Sequence, residues 1–229
     1  MMKKTLASAI LILFFITRNT GAYALQKTLL HSNDHVATIR ITAVNCAVDV
    51  GISNDDSIAY TSSGEIYYDS MRNDDALLIY LFTPYDSADK APVRITLPCN
   101  GGFFLDLQLD HASAHISPES AMSLRICAKN GSRIKIPLLN MGERNIELSL
   151  EGESRALFTM EQTACNFRID CTLNDDRCSV SIGNTHSGFC NKGTFHYQKG
   201  TANANIAVTL DTGSSFFLGL VKLLHSETQ

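Results

Sequence analysis

The 229-residue chain carries 19 basic against 23 acidic residues, a formal charge of −4, with 45% hydrophobic residues, 8% aromatic residues and no Trp. That balance argues against a nucleic-acid partner, whose phosphates are normally met by a basic field. The hydrophobic share is that of a chain able to bury a core, not of a disordered one.

The N-terminus reads Met1-Met2-Lys3-Lys4, then an apolar run from Leu6 to Ile16, then Ala22-Tyr23-Ala24. A short positive region, an apolar stretch of about ten residues and small residues two apart form the pattern of a secretory signal peptide. The run is too short for a membrane span. The expected signal is residues 1–24, with a mature chain from Leu25 that is periplasmic, cell-surface or secreted and has no stable span after cleavage. Cleavage removes Lys3, Lys4 and Arg18 but no acid, leaving 16 basic and 23 acidic residues, a charge of −7.

Period-two alternation then recurs to the C-terminus, the signal of half-buried strands. Ile39 and Ile41 alternate in one phase, and Val44, Cys46, Val48 and Val50 in the other, so a bulge is expected around Ala43. Further strands are expected at 65–68, 76–83, 93–98, 103–109, 122–127, 134–138, 146–150, 156–160, 167–173, 178–182, 194–197 and 205–210. The separators are turn chemistry, among them Asn54-Asp55-Asp56, Asn73-Asp74-Asp75, Asn100-Gly101-Gly102, Asn130-Gly131, Met141-Gly142-Glu143 and Asn174-Asp175-Asp176. Asn and Asp bond their own backbone in turns and Gly supplies positive φ, so short spacers imply hairpins and meanders. The expected fold is all-β: an antiparallel β-sandwich or barrel-like fold, stabilised by disulfides. The apolar segment Phe216–Leu224 reads as a central strand closing the core, with a short helix as the close alternative.

All seven cysteines, Cys46, Cys99, Cys127, Cys165, Cys171, Cys178 and Cys190, lie beyond the signal. In an exported chain they read as disulfide candidates, with one left over because the number is odd. The last four fall within 26 residues, which divides the chain into a main β domain at 25–155 and a cysteine-rich β subdomain, or continuation of the same domain, at 156–229. Their spacers of five, six and eleven residues do not match the tight knuckles of structural zinc. No Cys-x-x-Cys occurs.

No cofactor or metal is implied. Asp110, His111 and His115 would share a face only if that segment were helical, and it reads as a loop. The acid pairs Asp55-Asp56, Asp74-Asp75 and Asp175-Asp176 sit in turns and lack the ladder of a helix-loop-helix calcium site. No G-x-S-x-G elbow marks a serine nucleophile. With Trp absent, Tyr67, Tyr68, Tyr80, Tyr85 and Tyr197 are the candidate glycan-stacking anchors.

The phrase Ile206-Ala207-Val208-Thr209-Leu210-Asp211-Thr212-Gly213-Ser214-Ser215 resembles the catalytic loop of the aspartic proteases. The resemblance covers about eight residues, and that family's chemistry needs two such loops facing each other so that two carboxylates share a proton. This chain has one, followed by only 16 residues after Gly213. Asp211 is therefore expected to begin an Asx-type turn in a last hairpin, with no catalytic residue assigned. The sequence reads as a non-enzymatic exported binding, adhesion or surface-assembly protein whose partner is a protein or glycan, including a second copy in a homo-oligomer or by strand exchange through residues 25–31. The rival reading is a small secreted or periplasmic hydrolase whose site is assembled from dispersed loops, which needs polar residues converging in a concave pocket.

Overall fold

Ile39, Ile41 and Ala43 are fully buried, and so, after a slip of one residue, are Cys46, Val48 and Val50. The slip is a corner. Asn45 takes φ 55°, and the chain there leaves one sheet and enters the sheet facing it, so both apolar sets point into the same core.

The computed structural model describes residues 26–32, 36–53, 57–62, 66–83, 93–98, 102–117, 123–139, 145–161, 166–183, 186–189, 191–202 and 204–221. Its strands are β1 (Gln26–Ser32), β2 (Thr38–Val44), β3 (Ala47–Ser53), β4 (Ser57–Ser62), β5 (Tyr67–Asn73), β6 (Ala76–Phe82), β7 (Val93–Pro98), β8 (Phe104–Asp110), β9 (Ser113–Ile116) and β10 (Ser123–Lys129). They continue as β11 (Arg133–Leu139), β12 (Asn145–Leu150), β13 (Arg155–Glu161), β14 (Phe167–Leu173), β15 (Ser179–Ile182), β16 (His186–Phe189), β17 (Gly193–Lys199), β18 (Ala204–Leu210) and β19 (Ser215–Val221). The first 25 residues, with the expected signal peptide, lie outside the described residues.

The fold is all-β, but its sheets are mostly parallel, which corrects the expectation of an antiparallel sandwich or barrel. One sheet has ten strands in the order β1-β4-β7-β3-β9-β11-β13-β19-β15-β16, and the other nine in the order β17-β14-β18-β12-β10-β8-β2-β6-β5. A strand of the nine-stranded sheet followed by its successor in the ten-stranded sheet makes one rung. The rungs β2–β3, β8–β9, β10–β11 and β12–β13 stack in parallel and in register. The segment β6–β7 stacks on the outer side of β2–β3. At the other end β14–β15 occupies the last place, and β18–β19 fits between it and β12–β13. Antiparallel pairing is confined to the ends, where β5, β4, β1, β16 and β17 cover the terminal rungs. The hairpin reading of Asn73-Asp74-Asp75 holds there, between β5 and β6. β1 pairs with β4 of its own chain.

A parallel pair ordinarily needs a long crossover, usually a helix. Here the crossover is the strand in the opposite sheet, so each sheet keeps one face in the core and one outside and shows the alternation associated with antiparallel sheets. The corners carry the same αL chemistry as hairpins: Asn45, His111, Asn130-Gly131, Gly152-Glu153 and Thr212-Gly213 all have positive φ. Each corner also buries one small side chain, Cys46, Ala112, Ser132, Ser154, Ser214 or Cys178. Ser132 Oγ donates to Lys129 O and Ser154 Oγ to Glu151 O, while the Ser132 amide donates to Ser154 Oγ at 3.2 Å. Ser132 and Ser154 thus serve both their own turn and a neighbouring one, as a buried turn requires, whereas the equally buried Ser214 Oγ has no hydrogen-bond partner among the described residues.

Disulfides do not stabilise the described fold. Cys46, Cys127, Cys171 and Cys178 all carry thiols; Cys99, Cys165 and Cys190 lie outside the described residues. Geometry explains part of this. Cys46 and Cys178 occupy corners five rungs apart, about 24 Å at the usual strand spacing, far beyond the reach of a disulfide. Cys127 faces outward on β10, whereas Cys171 is buried on β14. Burial, and secondarily the charge of Asp170, pushes the Cys171 thiol up to about 12. In the native protein at mildly alkaline pH, alkylation followed by peptide mass mapping is expected to label Cys127 well before Cys171 and Cys178. Equal rates would contradict the buried placement.

Candidate functional site

The sequence around β6, Ala76-Leu77-Leu78-Ile79-Tyr80-Leu81-Phe82, is apolar on both phases. Leu77, Ile79 and Leu81 fill the core at 1%, 2% and 0% exposure. The opposite phase, Leu78, Tyr80 and Phe82, is therefore driven to the outer face of the nine-stranded sheet. The terminal strand β5 pairs with β6 so that Tyr67 lies opposite Phe82, Asp69 opposite Tyr80 and Met71 opposite Leu78. On the other side β2 places Val44, Thr42 and Arg40 beside Phe82, Tyr80 and Leu78.

The result is a flat platform near one end of the stack. Tyr67, Tyr80 and Met71 are 45%, 46% and 58% exposed, and the Tyr67 and Phe82 rings lie 6.3 Å apart at 32°. The Asp69 carboxylate stands between the two tyrosines' positions, and the Arg40 guanidinium at the border is held at 2.8 Å by the buried Asp106. Asp106 also accepts a bond from Gln108 Nε2 at 2.6 Å. Rings, phenol hydroxyls and one carboxylate on a flat face can hold a partner that offers an apolar surface edged by hydroxyls.

Register sorts the tyrosines that composition alone grouped together. Tyr68 lies on the other face of β5 and, though 44% exposed, packs against Tyr60 of β4 with ring centroids 4.3 Å apart, and Tyr197 packs against Phe167 at 5.8 Å. These two pairs close the ends of the core. Tyr85 lies outside the described residues. Among the described tyrosines only Tyr67 and Tyr80 share the platform, and Met71, Leu78 and Phe82 join them unannounced; the doubly apolar β6 phrase was the available signal.

The other candidate residues resolve into structural roles. Asp211 Oδ1 accepts the Thr212 amide at 2.7 Å, the expected Asx-type contact. The turn is a corner joining β18 to β19 across the two sheets, however, and not a hairpin. The apolar run after it forms a central strand, β19, between β13 and β15 as far as Val221, while residues 222–224 lie outside the described residues. His111 sits at an exposed corner, Asp110 accepts from Asn130 Nδ2 at 2.7 Å, and His115 lies on the outer face of the ten-stranded sheet. His111 Nδ1 lies 3.8 Å from Asp110 Oδ1, but His115 pairs with Asp49 instead and the three do not form one site. Arg177 beside Asp175 holds that carboxyl down at about 2, and Asp176 accepts the Lys192 amide; Asp55-Asp56 lies outside the described residues.

Two histidine–carboxylate pairs occur, Asp49–His115 at 3.2 Å and Asp170–His196 at 2.6 Å. Burial pushes the Asp170 carboxyl up, but hydrogen bonds from His196 and Arg168 outweigh it and leave it below the usual carboxylate range. Both pairs stand on exposed outer faces. Among the described residues no Ser, Thr or Cys side chain bonds either imidazole, and no three His, Cys, Asp or Glu are placed to hold a metal ion. Among the same residues no helix is long and apolar enough to cross a membrane.

No protein-family model matches the chain, and no curated protein matches it. A putative cell adhesion protein from Clostridium sporogenes ATCC 15579 is similar in structure, with a TM-score of 0.51 over 86% of this chain and 100% of that one at 10% identity. A putative adhesin from Parabacteroides distasonis ATCC 8503 aligns over 85% of this chain and 96% of its own at 9% identity, with a TM-score of 0.34. The first likeness shows a shared fold; the second is too distant to argue from.

Proposed function

We propose that this is an exported, non-enzymatic adhesion protein that binds a glycan through the platform formed by Tyr67, Met71, Leu78, Tyr80 and Phe82. The observation that carries the reading is the exposure of two tyrosines on a diagonal of one sheet face, with an exposed methionine beyond Asp69 on the same strand. Large apolar side chains left in water together mark an interaction surface. The N-terminal signal pattern favours export, and the fold shared with a protein named for cell adhesion points the same way.

A glycan suits the platform better than a protein does. Its side chains cover on the order of a few hundred Å², less than the roughly 800 Å² per partner of a stable protein–protein interface. Ring faces can take the C–H face of a sugar while Asp69, Thr42 and the phenol hydroxyls receive its hydroxyl groups.

Glycan-array binding by the mature wild-type chain and by Tyr67→Ala/Tyr80→Ala tests the reading. Two ring contacts at about 0.5–1.5 kcal/mol each correspond to roughly a 5- to 150-fold loss of affinity, with circular dichroism unchanged because both side chains are exposed. Unaltered binding by the double variant, or no binding to any glycan by the wild type, would overturn it.

A further inference from the structure

The outer face of the ten-stranded sheet has a different chemistry. In-register pairing sets Ala47, Ser113, Arg133, Arg155, Ser215 and Ser179 in one row across successive rungs. The next row reads Arg94, Asp49, His115, Lys135, Leu157, Phe217 and Ser181. Arg133 and Arg155 are thus direct neighbours, about 4.8 Å apart, with Lys135 about 7 Å along the strand. Leu157 and Phe217, both 39% exposed, continue from Lys135. Small residues at Ala47, Ser113 and Ser215 leave a shallow depression of about 650 Å³ lined by these charges and apolar side chains and, on the other side, by Asp49, whose carboxylate is engaged by His115 at 3.2 Å.

Like charges directly opposite in a sheet are destabilising, and the other sheet avoids them. There Arg40, Asp106, Arg125 and Glu147 alternate in sign across four strands, with Arg40–Asp106 at 2.8 Å and Arg125–Glu147 at 2.7 Å. Arg133, Lys135 and Arg155 form no salt bridge with any described carboxylate. A chain of net charge −4 therefore gathers three cations that read as scattered singly in sequence. Their only shared signal there is the repeated Ser132-Arg133 and Ser154-Arg155 after two corners.

From this we infer a second binding site, independent of the platform, for an acidic polysaccharide bearing carboxylate or sulfate groups. The cations supply anion contacts, bidentate where a guanidinium meets a carboxylate or sulfate, and Phe217 and Leu157 supply the surface for the ring of the same sugar. The backbone of these central strands is committed to its ladders, so an acidic peptide finds no edge to extend as it does in strand addition. Two exposed apolar side chains offer far less area than the extended apolar face that holds an element in a bilayer.

The test is calorimetric titration of the mature chain with heparin and with polygalacturonate at low and high salt. Neutral dextran, polyglutamate and phosphatidylglycerol vesicles serve as comparison arms. Saturable binding to at least one acidic polysaccharide is expected, weakening steeply with salt and falling about tenfold or more in Arg133→Ala/Arg155→Ala. Lys135→Ala, a single exposed change, is expected to weaken it severalfold and keeps the test open if the double variant misfolds. Tyr67→Ala/Tyr80→Ala should bind the polyanion as the wild type does, which separates this site's failure from the platform's. Binding to neither polyanion, binding unaffected by the arginine and lysine changes, or tighter binding to polyglutamate or the vesicles overturns the inference.

Discussion

Replacing Phe158 by alanine is expected to lower the unfolding free energy by about 3–5 kcal/mol, the usual cost of truncating a fully buried Phe. The ring is 0% exposed on β13 and meets Phe216 of the next rung edge-on, with centroids 5.2 Å apart and planes at 88°. That contact joins β12–β13 to β18–β19, the rung placed out of chain order between its neighbours. Losing it removes packing from both sides of the insertion, in a protein whose total stability is of the order of 5–15 kcal/mol. Urea unfolding measures it. A fall of less than about 1 kcal/mol, typical of surface changes, would mean that the rungs do not pack as described.

A second large effect is expected at the corners. Gly152 has φ +65°, and a Cβ there would lie 2.9 Å from the backbone nitrogen of Asn130 in the neighbouring rung. Gly131 has φ +74° with nothing within 4 Å of the same position. Gly131→Ala should therefore cost only the αL penalty, about 1–2 kcal/mol. Gly152→Ala should cost that plus a collision with immovable backbone, in total about 2–4 kcal/mol. Thermal unfolding of the two variants side by side reads the difference. Equal costs would contradict stacked corners, because isolated hairpin turns would feel only the backbone conformation.

Local signals announced most of the strands and almost none of their arrangement. Ile146–Leu150, Phe167–Leu173 and the closing strand after Gly213 were legible because alternation or an apolar run is a property of the segment itself. Parallel stacking was not, since a corner such as Asn130-Gly131 and a hairpin turn use the same positive-φ chemistry. What differs is the sheet the chain enters next. The one-residue slip around Ala43 marked such a corner, though a bulge explains it equally well from sequence. The repeat was partly visible in Ser132, Ser154 and Ser214, each following a turn and preceding an apolar alternation. The placement of β18–β19 between earlier rungs depends on contacts between distant segments, for which no local residue carries a code.

The candidate site divides along the same line. Tyr67 and Tyr80 stood out as ring-bearing residues in a chain without Trp. Their separation from Tyr68 and Tyr197 needed the register of β5 and β17. The clustering of Arg133, Lys135 and Arg155 likewise exists only once β11 and β13 lie side by side. The disulfide reading of Cys46, Cys127, Cys171 and Cys178 failed for a comparable reason. Counting thiols in an exported chain says nothing about whether two of them share a rung and a face.

Amide chemical-shift mapping of the mature protein, titrated with the oligosaccharide it binds best on a glycan array, tests the central claim most directly. The platform account predicts shifts concentrated at Tyr67–Asn73, Ala76–Phe82 and the adjoining Arg40–Val44, and their loss in Tyr67→Ala/Tyr80→Ala. Shifts confined to the opposite end of the stack, around β14 and β17, would contradict it.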